Sequence, residues 1–147
     1  MKKPTIFNAL LIVLFVIGCA SGKPKQEQIA SADYGPSPSN YEEIIKTFLS
    51  QSLIDPYSAM YTFNQPIKTW TNMGGDLAYG WVVCGTVNAK NRMGGYVGAS
   101  PYYIMINNSK IIRCLFRGLT IPDSLSLGML SAEPNWIIDE CKKAQSQ

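Results

Sequence analysis

The residues of this 147-residue chain that could do chemistry are four cysteines, a scattering of carboxylates and a cluster of asparagine, lysine, arginine and tyrosine; histidine is absent. Its absence removes the commonest general base and the commonest metal ligand. The cysteines stand at 19, 84, 114 and 141, with no C-x-x-C spacing, so a zinc set is not expected. A cysteine nucleophile without a histidine base is a weak catalyst. Paired acids for glycoside hydrolysis would have to come from Asp55, Asp76, Asp123, Glu133, Asp139 or Glu140, and the last two read as the surface of a C-terminal helix. These residue types point to a non-enzymatic binding or scaffolding module that needs no metal or other cofactor; the alternatives are an enzyme directed at cell-wall material or an inhibitor of a hostile hydrolase such as lysozyme.

The densest cluster lies in "CGTVNAKNRMGGYVGASPYY", Cys84 to Tyr103. Asn88 and Asn91 can hydrogen-bond their own backbone and tolerate left-handed conformations. Gly94 and Gly95 allow a sharp reversal. Tyr96, Tyr102 and Tyr103 supply flat amphipathic surface. Turn chemistry alone accounts for the Asn and Gly positions. The other reading is a recognition surface of Asn88, Lys90, Asn91, Arg92 and Tyr96, suited to an envelope protein or a cell-wall glycan. In either case Lys90, Arg92 and Tyr96 are expected to reach solvent. A phosphate cradle is disfavoured, because such loops open a helix and this one leads into a strand.

Several elements must position these residues. Tyr41, Ile44, Ile45, Phe48, Leu49 and Leu53 repeat at helical spacing. Ser39 with Glu42, or Asn40 with Glu43, stands at capping-box spacing. Pro56 predicts that this helix ends near Leu53. Met60 to Trp70 reads as extended chain interrupted at Pro66, and "TNMGGDLAYG" as a glycine-bearing loop. Gly80 to Lys90 is the strongest strand, with Gly85 marking a bulge or a close backbone approach. "PYYIMINNSKIIRCLF" is a hairpin. A two-residue Asn108-Ser109 loop would pair Asn107 with Lys110, Met105 with Ile112 and Tyr103 with Cys114. "RGLTIPDSLSLGML" reads as irregular, and "SAEPNWIIDECKKAQ" as a second helix opened by Pro134. The fold class is therefore α+β: a small antiparallel sheet of three to four strands packed by an N-terminal and a C-terminal helix. A small curled barrel closed by the last helix is the alternative.

The chain start sets the compartment. Lys2 and Lys3 precede an apolar run from Ala9 to Ile17, then Gly18 and Cys19, in the order of a secretory signal. "VIGC" resembles the lipobox of bacterial lipoproteins. That resemblance implies cleavage after residue 18, acylation of Cys19 including palmitate-type chains, and a membrane anchor. Ala20 after the cysteine resembles the sorting signal for the outer membrane, facing the periplasm. Residues 19–40 then read as lipidated cysteine and flexible tether, and 41–147 as one domain. Without Lys2 and Lys3 there remain 11 basic and 10 acidic residues, so no basic face is on offer to nucleic acid. In an oxidising envelope one disulfide is expected among Cys84, Cys114 and Cys141, and all three pairings are open.

"DPYSAMYTF" and "VVCGTVNAKNRMGGYVGASPYYI", with a cysteine near the C-terminus, resemble a family of small exported bacterial proteins and lipoproteins of uncharacterised function. The resemblance rests on Asp55, Pro56, Ser58 and Ala59, on Cys84 and Gly85, on Val87 to Asn91, and on Gly94, Gly95 and Tyr96, and covers most of 41–106. It implies a helix ending at the Asp-Pro motif and a disulfide from Cys84 to Cys141. It implies no activity.

Overall fold

The computed structural model describes residues 22–117, 129–130 and 134–147. The apolar leader and Cys19 lie outside the described residues, as does most of the segment read as irregular. In chain order the elements are α1 (Gln26–Ser31), α2 (Tyr41–Ser50), β1 (Asp55–Phe63), β2 (Ile67–Met73), β3 (Asp76–Lys90), β4 (Ser100–Asn107), β5 (Lys110–Phe116), β6 (Met129–Leu130) and α3 (Pro134–Gln145).

The molecule is α+β, and its sheet is larger than the three to four strands expected. Five strands pair antiparallel, and the two-residue β6 adds to β5 in parallel. The extra strand arises because β3 is 15 residues long and shares one edge between two partners. Its first half pairs with β2, from Met73↔Asp76 to Ile67↔Val82. Its second half pairs with β1, from Phe63↔Gly85 to Asp55↔Lys90. Pro66 lies between β1 and β2 and has no N–H to give to a ladder. The glycine-bearing loop proves to be a two-residue turn: Gly74 and Gly75 both have positive φ, 64° and 92°, the conformation a tight hairpin requires.

Each face of the sheet carries one helix. Ile45 and Leu49 of α2 are fully buried against Val83, Tyr102, Ile104 and Cys114. On the opposite face Ile137 and Ala144 of α3 pack against Val82, Tyr103, Met105 and Leu115. Burying large aliphatic side chains on both faces contributes roughly 1.5–3 kcal/mol each, and this two-sided core is what so small a domain needs. α2 ends at Ser50, three residues before the expected stop. The chain then tightens through i→i+3 bonds, Ser52 N–H to Leu49 O at 2.9 Å among them, before reaching Leu53. Neither expected capping box forms: Asn40 is the N-cap residue, and its side chain makes no cap bond.

Two expectations are corrected by packing. First, the segment read as a tether is docked from Gly22 onward. Tyr34 is buried, edge-on to Tyr79 with ring centroids 5.5 Å apart, and Lys68 Nζ lies 4.5 Å above its ring. The Trp81 indole N–H donates to Gly35 O at 3.1 Å, and Asn107 Nδ2 donates to Asp33 O at 2.8 Å. Second, the β4–β5 register differs. Asn107 does face Lys110, and the turn residues Asn108 and Ser109 have φ of 49° and 61°. A bulge then inserts one extra residue, so Ile106 faces Ile111 while Met105 faces Arg113, Ile104 faces Cys114 and Tyr103 faces Leu115. Arg113, at the bulge, is buried and paired with the Asp76 carboxylate.

Candidate functional site

The residues singled out in the sequence converge at the far end of β3, where β1 begins. Ser58 is the junction. Its hydroxyl donates to Asp55 O at 3.0 Å and accepts the Lys90 N–H at 2.9 Å. Its carbonyl accepts the Tyr96 hydroxyl at 3.1 Å, while its own N–H donates to the Asp55 carboxylate at 3.3 Å. The Asp-Pro-x-Ser motif therefore opens strand β1 and does not end a helix. It is bonded to the Asn-Ala-Lys-Asn motif more than 30 residues downstream.

The connection from β3 to β4 spans residues 91–99 and is organised by two amides. Asn91 Oδ1 accepts the N–H groups of Met93 at 2.9 Å and Gly95 at 3.1 Å, and Asn91 N–H donates to Gly95 O at 2.9 Å. Asn88 Oδ1 accepts the N–H of Gly98 at 3.2 Å. Asn88 and Asn91 thus spend their side-chain acceptors on the loop itself. Lys90 Nζ lies 5.6 Å from the Tyr96 ring centroid, a cation–π arrangement, and its backbone forms an isolated bridge with Tyr96. Arg92 is exposed. Of the glycine pair, Gly94 carries the positive φ, 79°. A Cβ on Gly95 would meet only Asn91 Oδ1, at 3.9 Å, so Gly95 is not the position that demands glycine.

Upstream, Gly85 explains the Cys-Gly pair. A Cβ there would fall 2.0 Å from Thr62 O and 2.4 Å from the Tyr102 hydroxyl. That hydroxyl instead passes over the bare Cα and donates to Thr62 O at 2.7 Å. Burial pushes the Tyr102 phenol far above its usual range, so it stays a donor. Cys84, next in line, is disulfide-bonded to Cys141, with Cα atoms 6.1 Å apart, which fastens α3 to the middle of β3. Cys114 is a buried free thiol on the other face.

Sequence reasoning missed the apolar side chains that surround this network. Tyr57 is fully exposed, Met93 is 93% exposed, and Ile54 and Val97 are also open to solvent. Ile54 and Val97 line one groove of about 280 Å³ with Leu53, Ala89, Phe116 and Arg117. Apolar residues in a glycine-rich stretch without periodicity, "MGGYVG", were the only signal available.

No protein family, curated protein or solved structure matches this chain. Among the described residues no group of three or more Cys, Asp or Glu side chains is placed to hold a metal ion. Among them, too, no helix is long and apolar enough to cross a membrane.

Proposed function

We propose that this protein is a lipoprotein of the bacterial envelope. Acyl chains on Cys19 hold it on the outer membrane, and its domain binds another envelope protein without catalysis. The observation that carries the binding surface is the exposure of Ile54, Tyr57, Met93 and Val97 around the ordered Ser58–Tyr96 junction. Aromatic residues, methionine and arginine are the types enriched at protein interfaces, and here a hydrogen-bonded loop holds them ready, which lowers the ordering cost of association. Ile54, Met93 and Val97 offer no hydrogen-bonding side-chain groups, so the surface suits a protein better than a hydroxyl-rich glycan.

Two experiments test this reading. Fatty-acid labelling of cells should mark the wild-type protein and not Cys19→Ser. A photo-crosslinking residue at position 57 should give a discrete adduct in intact envelopes that is lost from a Met93→Ser, Arg92→Ala, Val97→Ser variant of unchanged melting temperature. A diffuse smear at this position, insensitive to the triple change, would rule out the binding surface.

A further inference from the structure

The docked N-terminal segment fixes how the domain stands on its membrane. Gly22 O accepts a hydrogen bond from Asn72 Nδ2 at 3.2 Å, on the strand β2 that pairs with the start of β3. From there the chain runs through α1 to the buried Tyr34. Only two residues lie between Cys19 and Gly22, so the three residue steps reach roughly 10 Å when fully extended. A bilayer holding Cys19 must therefore lie close to the Asn72 end of the sheet.

That end carries cationic groups suited to phospholipid headgroups. Lys23 and Lys25 are exposed and form no salt bridge with the described residues. Lys23 lines the same cavity as Gly22, Asn72 and Lys143, between the N-terminal segment, β2 and α3. Lys142 and Lys143 sit in the last turn of α3, offset by Asp139 and Glu140. At the other end of β3, from Leu77 to Lys90, the strand has advanced about 40 Å at about 3.3 Å per residue. The aromatic junction at Ser58 and Tyr96 lies there.

We infer that the surface formed by Gly22–Lys25, Asn72 and the C-terminal turn of α3 rests on the anionic headgroups of the anchoring membrane, so that β3 carries the Tyr57–Tyr96 end away from the bilayer. This inference rests on acylation of Cys19 and adds an orientation that a flexible tether would not give.

The test uses the full lipidated protein in vesicles of phosphatidylethanolamine and phosphatidylglycerol containing a nitroxide-headgroup lipid. A fluorophore is attached through Ser146→Cys or, separately, Met93→Cys; Cys114 is buried and does not compete. The label at 146 should be strongly quenched, and the label at 93 no more than on vesicles without nitroxide. Releasing the segment with Tyr34→Ala and Asn72→Ala should abolish the difference while the disulfide-bonded domain stays folded by circular dichroism. Equal quenching at both positions in the wild-type background, with acyl mass present on Cys19, overturns the orientation alone. Absence of acyl mass on Cys19 overturns the lipoprotein reading and the orientation with it.

Discussion

Cys114 stands opposite Ile104 in the β4–β5 ladder, one position away from the Tyr103 that an unbulged hairpin would give it. Tyr103 faces Cys84 on the next strand, so the unbulged register would put Cys114 on the disulfide face. The extra residue at Ile112 turns it to the α2 face, where it packs as a small hydrophobe. Non-reducing peptide mapping should join Cys84 to Cys141. Of these three cysteines a thiol reagent should modify none in the folded protein and Cys114 alone after unfolding. A peptide linking Cys114 to either partner would contradict this arrangement.

The disulfide closes a chain separation of 57 residues, for which loop entropy predicts about 4 kcal/mol of stabilisation. Cys84→Ala with Cys141→Ala should lower unfolding free energy by about that amount in urea titration. An unchanged midpoint would mean that the α3 packing stands without its staple.

Alkaline pH should weaken the fold through its buried acids, Cys114 and Tyr103 among them. Burial raises the Cys114 thiol from 9.0 to about 12; it also raises the Tyr103 phenol from 10.0 to about 12, against an opposing hydrogen bond from Thr71. Above pH 9 the unfolded chain releases these protons while the folded chain keeps them. Stability is therefore full below pH 9 and falls as pH rises toward 12. Cys114→Ala should flatten the fall by up to one proton's worth of slope, most clearly between pH 9 and 10, and Tyr103→Phe should flatten it above pH 10. A slope between pH 9 and 12 identical in all three proteins would count against this assignment.

Gly85→Ala should be among the most damaging single changes, costing about 3 kcal/mol or more, because its Cβ overlaps a backbone oxygen that the sheet cannot move. Tyr102→Phe loses one hydrogen bond and should cost about 1–2 kcal/mol. Adding Tyr102→Phe to Gly85→Ala should not restore the wild-type midpoint, since the Thr62 oxygen remains in the way. Full rescue in thermal melts would show that the phenol, and not the strand, sets the limit.

In the β3–β4 connection the two adjacent glycines should behave differently. Gly94→Val forces a β-branched residue to positive φ and should cost about 2 kcal/mol. Gly95→Val should stay within about 0.5 kcal/mol. Asn91→Ala removes two bonds to loop amides and should cost about 1 kcal/mol. Melting curves that ranked Gly95→Val below Gly94→Val in stability would reverse this account of the turn.

Local patterning alone determined much of the molecule. The 3.6-residue stripe from Tyr41 to Leu49 marked α2, the β-branched run from Gly80 to Lys90 marked the central strand, and Asn108-Ser109 marked a tight hairpin, because each depends on interactions within a few residues. Nothing in "DPYSA" or "VNAKN" says that the two segments touch, yet Ser58 joins them in space. Tertiary structure decided the rest. A bulge costs no visible sequence signature, yet one inserted residue moved every later side chain of β5 to the opposite face and thereby settled which cysteine stays free. The small polar stretch before residue 40 had the composition of a linker. It is held because Tyr34, Gly35 and Asp33 meet Tyr79, Trp81 and Asn107, partners 45 or more residues away that exist as a surface only once β3 and β4 have paired.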